Sequence, residues 1–174
     1  MVVTIIAVLV IIIDQLTKWW AYASLRTNGD ITLIKDVLHL HYTTNKGMAF
    51  GLLEDQRWVF LTLTAVIIIA VIAFLVYTRK KKKHIMLNAS LAMIVGGGIG
   101  NMIDRVFYGD ALFCGEVIDF IYFKLIDFPV LNIADSAVCI GEALLVIYTL
   151  FLDGKIAKNN ADLFSFSQEQ TTKE

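Results

Sequence analysis

Charge is scarce in this chain: Asp, Glu, Lys and Arg make up 18% of its 174 residues, against 57% hydrophobic ones. A soluble domain carries about a quarter charged residues, so the deficit excludes that class and implies a membrane protein. The single proline leaves no room for a proline-rich linker. One folded domain over residues 1–158 is expected, followed by a polar tail at 159–174 with no apolar period to bury. The only cysteines, Cys114 and Cys139, form neither a C-x-x-C motif nor part of a zinc ligand set, and both are expected as free thiols. A net charge of −1 provides no general basic field to recruit nucleic acid. His39 and His41 share one side of an alternating stretch but have no third ligand, so neither a metal nor any other cofactor is expected.

What is abundant is long apolar sequence. Four stretches, about Val2–Ala23, Trp58–Thr78, Ile85–Ile103 and Leu131–Leu152, reach the roughly 20 residues a helix needs to cross a bilayer. In lipid they must be helices, because each backbone N–H and C=O needs a partner within its own segment. The first run lacks a basic leader and a small-x-small cleavage site, so it reads as a permanent span. The basic run Arg79–Lys83 assigns the link between spans two and three to the cytoplasm, and Lys155 and Lys158 agree with it. Both termini are then cytoplasmic. The outer segments are Ser24–Arg57 and Val106–Val130, with Trp19, Trp20, Tyr22 and Trp58 in an outer aromatic belt. The stretch ITLIKDVLHLHY alternates apolar and polar residues and predicts a small outer sheet. The fold class is membrane all-α, four transmembrane helices with a small extracytoplasmic β-sheet and loop region.

Ionisable and amide side chains stand out against this background. Span two has no ionisable group from Val59 to Val76, but the other spans carry Asp14, Lys18, Asn101, Asp104, Arg105, Asn132, Asp135 and Glu142. A charge at mid-membrane costs roughly 2.5–3.5 kcal/mol even on the lenient insertion scale, which makes each a functional candidate. Counting ~1.5 Å per residue from the inner face puts Asp14 roughly 20 Å across. Asn101, Asp104 and Arg105 end span three, and Asn132 and Asp135 begin span four. All except Glu142 gather near the outer interface. Asp119 lies in the outer segment before Asp135, close enough for two carboxylates to meet at the surface. Such a pair shares one proton and can hydrolyse a peptide without metal: one Asp activates water and the other protonates. Which of the two holds the proton stays open at this point.

Five blocks then carry a resemblance: DQLTK at Asp14–Lys18, NKGMAF at Asn45–Phe50, GGIGNMIDR at Gly97–Arg105, VIDF at Val117–Phe120 and LNIADS at Leu131–Ser136. In this order, on four spans, they resemble the lipoprotein signal peptidase family (signal peptidase II). The resemblance implies a metal-independent aspartic endopeptidase. It would remove the signal peptide from diacylglyceryl-modified prolipoproteins, cutting just before the lipidated cysteine, in a bacterial plasma membrane with its site at the outer face. It also implies lipidated substrates and membrane phospholipids as partners, with a monomeric enzyme. By motif, Asp119 and Asp135 resemble the catalytic pair. Asn45, Gly47, Asn101, Arg105 and Asn132 resemble the substrate-binding residues, and Asp14, Lys18 and Asp104 look structural. The stretch 106–116 is longer than the family's usual link and adds Asp110 and Glu116 as rival carboxylates, and Met48 stands where a small residue is common.

Bland readings exist for several of these residues. Asp135 could simply cap its helix, Asp14 and Lys18 are spaced as an i, i+4 ion pair, and Arg105 could reach headgroups. The glycines at 96, 97, 98 and 100 match no phosphate loop and are expected to permit close helix approach. Glu142 reads as a buried structural acid and takes no role. Two other function classes fit intramembrane polar groups: a proton or ion transporter and a non-catalytic membrane assembly protein. A transport pathway would continue through the bilayer, whereas these charges cluster at one face.

Overall fold

The structure is a computed structural model that describes residues 2–45, 57–81, 84–152 and 154. Gly47, Met48, Lys82, Lys83, Lys155, Lys158 and the tail from Asn159 lie outside the described residues. Four helices are long and apolar enough to cross a membrane: α1 (Val2–Asn28), α2 (Arg57–Lys80), α3 (Ile85–Phe107) and α4 (Ile133–Ile147), the last continued by a π-helical turn at Tyr148–Leu152. Three strands, β1 (Ile31–Ile34), β2 (Leu38–Asn45) and β3 (Val117–Tyr122), form one antiparallel sheet in the order β1-β2-β3.

The helix α3 lies at the centre because successive residues in a helix step about 100° around its axis. That step points three consecutive glycines at three different helices. A Cβ on Gly96 would meet the Ala7 carbonyl and Val10 of α1; on Gly97, the Ala134 carbonyl and Val138 of α4; on Gly98, Ile68 of α2. Close approach replaces the side-chain burial that lipid cannot reward. At the inner end, Leu87, Leu91 and Tyr148 form a cluster against Val71 and Leu75 of α2 and Leu145 and Leu152 of α4. There the Thr78 hydroxyl donates to Asn88 Oδ1 at 2.8 Å, pinning α2 to α3.

The helix α1 outlasts the expected span by five residues, ending only where Gly29 takes φ +82° and donates to the Leu25 carbonyl at 3.0 Å. The extra turn matters for the sheet. Ala21 and Leu25 pack beneath Ile118 and Phe120 of β3, so α1 carries the sheet on its outer end. The alternating stretch after α1 does form the hairpin, while β3 arises from the VIDF block in the outer segment between α3 and α4. The fourth helix starts two residues later than its apolar run. Leu131 is bridged to Ile121, with its carbonyl accepting from both Phe120 N and Ile121 N, and Asn132 caps the helix.

Glu142 requires a correction: it is exposed on α4, not buried, because the residues of α4 that pack inward are Ala134, Ala137 and Gly141. Cys114 and Cys139 are free thiols, both exposed.

The α3–α4 contact is the tightest of these approaches. Gly97→Val is expected to lower stability by about 1–3 kcal/mol, whereas Ala143→Val on the exposed side of α4 leaves it unchanged. Thermal unfolding in detergent distinguishes the two.

Candidate active site

Three elements deliver the site. β3 supplies Asp119, the start of α4 supplies Asn132 and Asp135, and the outer end of α3 supplies Asn101, Asp104 and Arg105. The Ile121–Leu131 bridge brings the chain back beneath β3, so that Asn132 arrives next to Asp119.

Asn132 is fully buried and touches both aspartates. Its Nδ2 donates to Asp119 Oδ1 at 2.6 Å. Its backbone N donates to Asp135 Oδ2 at 3.2 Å, while Asp135 N donates to Asn132 Oδ1 at 2.8 Å, forming a reciprocal capping box. Asn101 completes the clasp: its Nδ2 donates to Asp135 Oδ1 at 2.7 Å and its Oδ1 accepts from Asn132 Nδ2 at 3.0 Å. The cap that starts α4 is therefore also the bridge between the carboxylates.

Asp119 is 2% exposed. Burial pushes its carboxyl up to about 7, and the neighbouring Asp135 charge adds to the rise, against the opposing effects of Asn132, Lys18 and Asn45, with the two asparagines acting as hydrogen-bond partners. Near neutral pH, then, one member of the pair readily holds a proton. That is the electrostatic arrangement acid–base hydrolysis of an amide requires. Among the described residues no three His, Cys, Asp or Glu side chains stand together as a metal ligand set. The two strand histidines have other neighbours, His41 on Asp30 at 2.8 Å and His39 on the Thr32 hydroxyl at 3.3 Å.

Residues 6–151 match the family model of signal peptidase (SPase) II. The chain belongs to the signal peptidase II family. It is 40% identical over 150 residues to the lipoprotein signal peptidase of Brevibacillus brevis, covering 86% of this chain and 95% of that one. The identity is also 40% over 150 residues with the lipoprotein signal peptidase of Halalkalibacterium halodurans, covering 84% and 90%. Two solved bacterial membrane enzyme structures, obtained by the in meso method at 2.3 and 1.9 Å, share the fold with TM-scores of 0.72 and 33% identity. They cover 86% and 87% of this chain, and 87% and 94% of their own. Family membership makes this protein a peptidase.

Below the aspartates of this signal peptidase II chain lies a buried ionic cluster. Lys18 Nζ reaches Asp14 Oδ2, Asp104 Oδ2 and Asn101 Oδ1, each at 2.8 Å, so three acceptors occupy its three N–H donors. The i, i+4 pair expected in α1 is present, and Asp104 makes it a bridge from α1 to α3. Because Asn101 Oδ1 faces an ammonium, its Nδ2 must turn towards Asp135. Asp104 also accepts from Ile118 N at 3.3 Å, tying β3 down one residue before Asp119, and Asp14 accepts from Ala134 N at 2.9 Å.

Most of the residues singled out by motif converge here. Asn45 hydrogen-bonds Asp119 from β2, and Arg105 Nη1 donates to the Asn101 carbonyl at 3.2 Å. The rival acids stand apart. Asp110 and Glu116 line a separate cavity of about 470 Å³ with Tyr22, Arg26, Tyr42 and Ile118, and Ile118 points to the opposite face of β3 from Asp119. Sequence reasoning missed Gln15, whose Nε2 donates to Asp104 Oδ1 at 2.9 Å and to the Gly100 carbonyl at 3.2 Å. Its signal was its place inside the DQLTK block.

Removing the ammonium strands two buried carboxylates. Lys18→Met is expected to cost about 3–5 kcal/mol, and adding Asp104→Asn to it recovers part of the loss. Unfolding temperatures of the single and double variants check this.

Proposed function

We propose that this peptidase removes the signal peptide from lipidated prolipoproteins, with Asp119 and Asp135 as its catalytic pair. The curated relatives are lipoprotein signal peptidases, and the observation that carries the pairing is Asn132 bridging two carboxylates, one of them raised to about 7. Asp119 holds the shared proton. Ionised Asp135 takes a proton from the attacking water, and Asp119 hydrogen-bonds the scissile carbonyl oxygen. The proton gained by the pair then passes to the leaving amine. Asn101 and Asn132 orient the carboxyl groups, Asn45 and Arg105 meet the substrate beside them, and Gly47 is a substrate-binding residue by its motif. The burial of Asp119 strengthens its interaction with the developing charge.

The enzyme works as a monomer in a bacterial plasma membrane, with both termini cytoplasmic and the pair at the outer face. Phospholipid surrounds its spans and nucleic acid is no partner. The basic link after α2 supports this orientation, as does the aromatic belt, in which Trp19 and Trp58 are 66% and 63% exposed. The peptidase domain is residues 1–158, with 159–174 as its tail. Conduction is not favoured, because the linked polar cluster occupies one end of the helices and α2 has no ionisable group between Val59 and Val76.

Cleavage of a diacylglyceryl-modified prolipoprotein in detergent, with chelator present, tests the reading. Asp119→Asn and Asp135→Asn are each expected to reduce kcat by about a hundredfold to ten-thousandfold while unfolding as cooperatively as wild type. Full activity in both variants would contradict the assignment.

The pH dependence has a definite sign. The folded protein holds the Asp119 proton up to about 7, against an ordinary value of 3.8, so it binds more protons than the unfolded chain between those values. This contribution to stability is full below 3.8 and is lost as pH rises to about 7. Activity is expected to fall over the alkaline side of the same titration as the pair loses its proton. Unfolding temperatures and kcat/KM measured across pH check both trends, and Asp119→Asn should flatten the stability trend.

A further inference from the structure

Glu142 has no place in the chemistry above, yet its position is specific. Seven residues of helix bring it back to within about 20° of Asp135 and about 10 Å deeper along α4. Cys139 stands between them, within electrostatic reach of both carboxyl groups. On α4, Ala134 and Val138 contact Gly97 of α3 and Gly141 contacts Ser90 and Ile94, while Ile133 marks the side turned to α1. Asp135 and Glu142 therefore lie on the other flank, towards α2. Around α3, Asn101 and Arg105 fall between Gly97, which faces α4, and Gly98, which faces α2. Together these surfaces outline a trough between α2 and α4 with α3 as its floor. The Leu87–Leu91–Tyr148 cluster closes it inward by drawing Val71 and Leu75 of α2 and Leu145 and Leu152 of α4 together. The mouth holds Asp135, Asn101 and Arg105, and Glu142 sits one turn before the closed end, marked by Leu145.

We propose that Glu142 is a specificity-determining residue that lies alongside the substrate's apolar signal segment and accommodates a hydroxyl-bearing side chain, Ser or Thr, about seven residues before the scissile bond. This rests on the functional reading above. An apolar segment seated in the trough with its scissile bond at Asp135 runs inward past Glu142, and the ~10 Å offset corresponds to about seven helical residues. Lipid alone leaves this exposed carboxyl without a hydrogen-bond partner at membrane depth, whereas a substrate hydroxyl gives it one. A second copy of the chain on the same flank would cover Asp135, which argues against a subunit contact as the reason for the acid.

The test uses lipidated prolipoproteins whose apolar segment is all Leu, or carries one Ser at each position from roughly four to nine residues before the bond. The quantity read is kcat/KM for each Ser substrate divided by that for the all-Leu parent, in wild type, Glu142→Gln and Glu142→Leu. The Leu variant is expected to lower this ratio about fivefold at one position near the seventh, and Gln, which keeps hydrogen-bonding capacity, to preserve it. Loss spread evenly over all substrates would show a structural role and overturn the proposal, as would unchanged ratios at every position. A change in oligomeric state with unchanged ratios would overturn it in favour of a subunit contact. Cleavage of the all-Leu parent by wild type sustains the functional reading whichever result Glu142 gives. Failure of wild type to cleave any member overturns both.

Discussion

The site is organised around one buried ammonium. Lys18 is 2% exposed and has an oxygen for each of its three protons, from Asp14, Asp104 and Asn101. Removing such a group from water is unfavourable unless its partners are held in place, and here they come from two helices and reach further still. Asp14 accepts from the first turn of α4, and Asp104 accepts from β3. The charge cluster thus joins α1, α3, α4 and the sheet at the level where the aspartates meet.

The same contact has an electrostatic consequence. An asparagine amide can present either end, and the ammonium settles which end Asn101 offers to Asp135. Asn132 is constrained likewise, since its Oδ1 caps α4 and its Nδ2 is left for Asp119. Two carboxylates that would repel each other in a buried setting are held by amide donors, and one holds its proton to about pH 7. Stability and the chemistry we propose run together at Asp119, because burial raises the free energy of the charged form and so favours the protonated carboxyl that both use.

Much of this was legible in the sequence, for identifiable reasons. Apolar runs of bilayer length dictated the four helices, because lipid permits a single segment no other way to pair its backbone. The alternation from Ile31 to Tyr42 gave the hairpin. The motif blocks led to Asp119, Asp135 and their amide partners, which the structure gathers into one cluster. What pattern could not provide was anything set by contact between distant segments. The VIDF block becomes a strand only because β2 is there to pair with it and Ala21 and Leu25 lie beneath it. Asp104 joins an ion pair that looked local to α1. Glu142 read as buried because an acid in an apolar helix is costly to expose to lipid, and its true facing depends on which side of α4 packs against α3.

In this mechanism Asp119 holds the proton of the pair near neutral pH. Infrared difference spectroscopy of the protonated carboxyl group, followed across pH in wild type and Asp119→Asn, tests it most directly. Wild type is expected to show a protonated-carboxyl signal that titrates away at about 7 and is missing from the variant. A signal that persists unchanged in Asp119→Asn, or its absence from wild type below that pH, would contradict it.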